Sequence, residues 1–140
     1  MSGRGLDTNV LLRFLLNDHP SQSAAARSMI DRDSLGGEPP VVCLLTLLEA
    51  EWVLRTAAKL DKAQVVQVFH GLLESIDFAI DDEPTLEEAL HAYQNTSADF
   101  ADCLINARYR SLGCGGMVTF DTKAARLPGA KLLGGPDRPS

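Results

Sequence analysis

The chain has 140 residues, 45% hydrophobic and 23% charged, with a net charge of −6, the profile of one globular domain with its own core rather than a disordered or disulfide-stapled chain. No apolar run reaches bilayer length, and Met1-Ser2-Gly3-Arg4-Gly5 lacks the apolar core of a signal peptide, so a cytoplasmic protein is expected. The acidic balance excludes a simple basic nucleic-acid binder, but not a nucleic-acid enzyme whose bound cations offset an acidic site.

Residues 3–6 read as a short glycine-rich strand leading into Leu6-Asp7-Thr8-Asn9. Val10, Leu11, Phe14 and Leu15 recur at helical spacing, which predicts a helix from near Thr8 to Asn17-Asp18. Pro20 opens a second helix that runs to about Ile30, with Ala24, Ala25, Ser28 and Met29 as a modest apolar face. Residues 33–40 are a loop by composition, and Val41 to Leu45 a short buried strand. Thr46 starts a helix through Trp52, Val53 and Leu54 to about Lys59. Asp61 caps the next, which turns Val65, Val66, Phe69, Leu72 and Leu73 inward. A strand over Ile76 to Ile80 follows, then a helix from Thr85 carrying Ala89, Leu90 and Tyr93.

The helix expected over 98–112 places Phe100, Ala101, Leu104 and Ile105 on one apolar face, extended by Leu112, and Asp99, Asp102 and Asn106 on a polar stripe. Cys114 to Phe120 reads as a strand, Asp121 as the start of a short helix, and Ala130 to Leu133 as a last strand. The domain is expected to span 1–134, with 135–140 a flexible tail. Cys43, Cys103 and Cys114 are odd in number, lack a CxxC and read as reduced core thiols. His19, His70 and His91 are isolated, and no chemistry is assigned to them.

Strands alternating with helices imply an α/β fold, a single domain whose central, mostly parallel sheet carries helices on both faces. Ligands of such sheets bind beyond the carboxyl ends of the strands. Asp7, Glu49 and Asp121 each stand at or just beyond the end of an expected strand, while Asp99 and Asp102 begin the helix before one. Each acid also has a plain structural account. Asp7 and Asp121 could cap helices, Thr46 with Glu49 fits a capping box, and Asp99 and Asp102 complement a helix dipole. Glu49, however, neighbours Trp52 and Val53 on its helix, and a carboxylate in apolar surroundings needs a partner or a metal. Two carboxylates about 4 Å apart repel by roughly 4 kcal/mol at an effective dielectric near 20. A convergent set therefore calls for a divalent cation or raised pKa values, and all-oxygen donors point to Mg²⁺ or Mn²⁺.

Four stretches in order resemble the PIN-domain family, and within it the VapC-type toxins of toxin–antitoxin modules. They are Leu6-Asp7-Thr8-Asn9-Val10-Leu11-Leu12-Arg13, Leu48-Glu49-Ala50-Glu51-Trp52-Val53-Leu54, Asp99-Phe100-Ala101-Asp102-Cys103-Leu104-Ile105 and Val118-Thr119-Phe120-Asp121. The resemblance maps the family's four acids onto Asp7, Glu49, Asp102 and Asp121, with Asp99 as an added outer ligand and Asn9 and Thr119 as supporting polar positions. The chain departs from the pattern in its short glycine-rich first strand and in Asn106 and Arg108, where small residues are usual.

What the resemblance implies is an endoribonuclease, the toxin of a type II toxin–antitoxin system. Mg²⁺ or Mn²⁺ on these acids would activate a water for in-line attack on phosphorus, leaving 5′-phosphate and 3′-hydroxyl ends. It also implies a homodimer and a VapB-type antitoxin whose basic segment covers the acids, which suits a pI near 4.9. Arg13 and Arg55 are candidates for RNA phosphate contacts, equally readable as solvated helix arginines. Two other classes stand beside this one. A catalytically inert PIN-like binding module would keep the fold alone. An Asp-based phosphatase would use Asp7 as nucleophile, but the usual second Asp two residues on is here Asn9.

Overall fold

The structure, a computed structural model, describes residues 1–134; the tail expected over 135–140 lies outside them. Six α-helices and four two-residue strands alternate along the described residues, and every strand pairing is parallel, as an α/β chain requires. The chain divides into two compact units, Met1–Glu83 and the segment from Pro84 onward.

In the first unit, α1 (Thr8–Leu16) starts where Asp7 Oδ1 accepts the Val10 amide at 2.9 Å and stops at Asn17, which takes the left-handed conformation common at helix ends. Pro20 opens α2 (Pro20–Leu35), capped by His19 Nδ1, which accepts the Gln22 amide at 3.2 Å. This helix runs past Ile30 and takes 33–35 from the expected loop. Its last turn carries no inward apolar residue to announce it; the turn is fixed instead by Ser34 Oγ, which donates to Asp77 Oδ1 at 2.8 Å. Phe14 of α1 meets Phe78 edge-on at 5.2 Å, and the Arg27 guanidinium lies over the Phe14 ring at 4.7 Å.

The strands β1 (Val41–Val42) and β2 (Ala79–Ile80) pair in parallel, with α3 (Leu44–Thr56) and α4 (Lys62–Glu74) forming the crossover such a pair needs. Asp61 and Gln64 close the expected cap of α4 as a reciprocal capping box. Leu44 and Leu45, expected in the strand, belong to α3. Its Leu44 amide is satisfied from afar, by Asp81 Oδ1 at 3.0 Å, and its Leu45 amide locally, by the sulfur of the N-cap Cys43. The capping box of Thr46 with Glu49 is therefore absent, and Thr46 Oγ1 donates to the Leu6 carbonyl instead. The glycine-rich start is the bare minimum of a strand: Gly5 bridges Val41, whose amide donates to the Arg4 carbonyl at 2.8 Å. A Cβ on Gly3 would collide with the Pro39 carbonyl oxygen, so the backbone approaches closely only without a side chain.

In the second unit, α5 (Glu83–Asn95) and α6 (Phe100–Ser111) precede β3 (Val118–Thr119), a 3₁₀ turn over Ala124–Arg126, and β4 (Lys131–Leu132). Val118 pairs with Lys131 and Thr119 with Leu132. Each strand is shorter than expected from its apolar run. Tyr93 packs edge-on against Phe100 at 5.6 Å, and Leu86, Leu90, Cys103 and Leu104 are also buried in this unit. The face of α6 differs from expectation: Ile105 and Leu112 are exposed, whereas Asn106 is only 2% exposed. Cys103 is a core thiol, but Cys43 is partly exposed and Cys114 exposed, which corrects the expectation that all three are buried. Among the described residues, no helix is long and apolar enough to cross a membrane.

Candidate acidic site

Asp7 and Glu49 lie in the first unit. Asp7 is exposed, and of its described contacts only Oδ1 is engaged, on the Val10 amide. Its capping role is thus real, and it fixes the carboxylate against the first turn of α1. Asn9, also exposed, lines with Asp7, Val10, Arg13, Ala26 and Met29 an open cavity of about 350 Å³.

Glu49 corrects the expectation of an acid in apolar surroundings. It is exposed, and so is Trp52, at 60%. The buried acid of α3 is Glu51, 3% exposed, whose Oε2 accepts from Arg55 Nε at 2.9 Å. An i,i+4 Glu–Arg pair was the signal in the sequence that could have found it. Arg55 is accordingly committed to a protein partner. Arg13 is committed too: NH1 meets Asp18 Oδ1 at 3.1 Å, and Nε donates to Gln22 Oε1 at 2.8 Å. Both candidates for phosphate contact thus also hold a protein partner, and both keep part of the side chain exposed.

The second unit carries Asp99, Asp102 and Asp121. Asp99 occupies the N-cap position of α6, yet its side chain makes no capping hydrogen bond. Asp102, partly buried in the first turn, has its carboxyl pushed above the ordinary carboxylate range, first by burial, then by the charge of Asp121 and that of Asp99. This unit therefore does bring these three acids into one electrostatic group.

Asp121 is held at its post by backbone. Oδ1 accepts the amides of Lys123 at 2.8 Å and Ala124 at 3.3 Å, while the Asp121 amide donates to Thr119 Oγ1 at 3.0 Å. Thr119 thus supports the turn that carries Asp121. Two residues to which the sequence assigns no role in a site stand out. Phe120, read as a strand end, is 76% exposed next to Asp121. Asn106, read onto the polar stripe with Asp102, turns inward to Met117 and Pro128.

The chemistry of this donor set suits a hard divalent cation. All donors are oxygen, and like-charge repulsion already works against ionising Asp102, a cost that a cation relieves. Among the described residues, no set of three or more His, Cys, Asp or Glu side chains is already gathered tightly enough to hold a metal ion.

Comparison with known proteins places these residues in context. The family model for the PIN domain matches residues 6–130. A protein named VapC ribonuclease, from Aquifex aeolicus (strain VF5), is 25% identical over 122 residues, covering 87% of this chain and 90% of that protein.

Proposed function

The chain belongs to the PIN domain family, and on that premise we propose that it is the toxin ribonuclease of a type II toxin–antitoxin pair. It cuts RNA phosphodiester bonds in the cytoplasm with the help of Mg²⁺ or Mn²⁺. The observation that carries this reading is Asp102, a partly buried carboxyl pushed up first by burial and then by the charges of Asp121 and Asp99. It is supported by the order of the four acid stretches within the matched span, and by the name of the similar protein.

In this reading Asp7, Glu49, Asp102 and Asp121 hold the cation together, and Asp99 assists from outside. When bound, the ion supplies Lewis acidity for activating water and for stabilising the leaving oxygen. The chain's own work is orientation. The Val10 amide steadies Asp7, and the Lys123 and Ala124 amides steady Asp121, so neither carboxylate must be ordered at the moment of binding. Asn9 and Thr119 add neutral polar groups that carry no further charge into an acidic site. Phe120 offers an exposed aromatic face beside Asp121 on which an RNA base can stack.

The partners follow from the same chemistry. A VapB-type antitoxin with a basic segment, an Arg set among the carboxylates, would neutralise what the metal otherwise neutralises, and the net charge of −6 favours its approach. A homodimer is part of the proposal.

The test is cleavage of a mixed cellular RNA pool by antitoxin-free protein in Mn²⁺, in Mg²⁺ and in EDTA, beside Asp7→Asn. Discrete fragments that require both metal and Asp7, with 5′-phosphate ends, are expected. Intact RNA from folded, metal-loaded protein would overturn the reading and leave the inert binding module.

A further inference from the structure

We propose that Asn106 is a positioning residue that sets the spacing of the Asp102 and Asp121 carboxylates, and hence the affinity of this chain for its divalent cation, by clipping the approaches to β3 and β4 onto α6. The inference rests on the metal-nuclease reading above and assigns a residue that reading does not use.

Asn106 follows Asp102 by one helical turn, so both side chains are carried by the same rigid stretch of α6. Its side chain is only 2% exposed, and both ends of the amide are spent on distant backbone. Oδ1 accepts the amide of Met117, the residue before β3, at 2.9 Å; Nδ2 donates to the Pro128 carbonyl, shortly before β4, also at 2.9 Å. An acceptor facing an N–H and a donor facing a C=O fix the amide in one orientation, because a flip breaks both bonds.

The two clipped segments also touch one another. A Cβ on Gly116 would collide with the Gly129 carbonyl, and one on Gly129 with the Gly115 carbonyl, so the backbones meet without side chains between them. From Met117 the chain runs two residues of β3 and then, through Phe120, to Asp121. The path from Asp102 to Asp121 is therefore short and rigid: one turn of helix, one buried amide, and a strand locked in register with β4.

An apolar or small residue at 106 would bury the same volume or less, but would leave the Met117 amide and the Pro128 carbonyl unpartnered. The β3 approach would then be free to shift along α6. Since divalent cations of this class demand close-set oxygen ligands, a modest shift between two ligands costs affinity before it costs the fold.

The experiment compares Mn²⁺ binding to the full chain, read from the electron paramagnetic signal of free Mn²⁺, for wild type, Asn106→Ala and Asn106→Gln. Leu90→Val, a core truncation on α5, serves as a control for loss of stability alone. Folding of each is checked by circular dichroism and cooperative melting. The expected result is Mn²⁺ affinity at least tenfold weaker in Asn106→Ala, and a smaller loss in Asn106→Gln, which keeps both polar groups one methylene further out. Cleavage should lose kcat rather than gain KM for RNA, and excess Mn²⁺ should restore it. Leu90→Val should melt earlier with unchanged Mn²⁺ affinity.

If both Asn106 variants bind Mn²⁺ as tightly as wild type, the positioning role is wrong and the amide is merely structural. Should Asn106→Ala fail to fold, Asn106→Gln decides by the same criterion. A wild-type chain that binds Mn²⁺ but cuts no RNA overturns the ribonuclease reading alone, and the binding comparison still decides the role of Asn106.

Discussion

Asp121 presses on Asp102: of the two acids that raise the pKa of the Asp102 carboxyl, it is the stronger, second only to burial itself. The folded chain therefore holds a proton on Asp102 more tightly than the unfolded chain does. The stability tied to that proton is fully present below the ordinary value of 3.8 and is lost as pH rises through the raised folded value. At neutral pH the ionised Asp102 is a burden on the metal-free fold. Asp102→Asn should consequently raise the melting midpoint of metal-free protein at pH 7 by on the order of a few degrees, with the gain shrinking toward pH 4. An unchanged or lowered midpoint at pH 7 would count against the repulsion.

Binding a cation should reverse that burden. Mn²⁺ at about a hundred times its dissociation constant adds roughly 2.7 kcal/mol to the folded state. Wild-type protein should melt later in Mn²⁺ and return to its earlier midpoint on adding EDTA, whereas Asp102→Asn should respond little. Equal responses from the two proteins would remove Asp102 from the ligand set.

Under the proposed function Asp7 has two duties, the cap that it makes and a ligand role, and substitution separates them. Asn is as good an N-cap as Asp and keeps the acceptor for Val10, so Asp7→Asn should melt like wild type while losing at least about a hundredfold in cleavage. Asp7→Ala should lose cleavage as well, and in addition about 1 kcal/mol of stability with the cap. Cleavage retained in Asp7→Asn would refute the assignment.

Glu51 and Arg55 should behave as structure. Arg55→Ala strands a carboxylate that is 3% exposed and should cost about 1–3 kcal/mol by urea unfolding. The KM for RNA of the folded fraction should stay unchanged. A KM that rises and depends steeply on salt would return Arg55 to the phosphate contacts first considered for it.

Phe120 is the side chain through which the second unit should meet a base. Phe120→Ala should raise the KM for RNA by the equivalent of about 1–3 kcal/mol, with kcat and Mn²⁺ affinity unaffected. A change in Mn²⁺ affinity instead would make it a packing residue of the Asp121 turn.

What could be read from the sequence were features whose causes lie close together in the chain. The helical spacing in α1 and α4 is local, as are the Asp61–Gln64 box and the acids beside short apolar runs. Features set by distant partners were not legible. Leu44 and Leu45 look like strand residues until Asp81 caps the helix they begin. Asn106 looks solvent-facing because its partners, Met117 and Pro128, come from loops whose course no periodicity reveals. Glu49 looks shielded because it neighbours Trp52 and Val53 on its helix; with Trp52 in solvent, the buried carboxylate is Glu51, one turn from its arginine.

The two parallel pairs differ in how much chain each must gather. The pair of β1 with β2 closes over residues 43–78, that of β3 with β4 over 120–130, roughly a threefold difference in length. Loop-closure entropy then favours the second pair by about 1 kcal/mol, and shorter-range contacts form sooner. During folding the Asp121 turn should accordingly be set before the segment joining β1 to β2 finds its register.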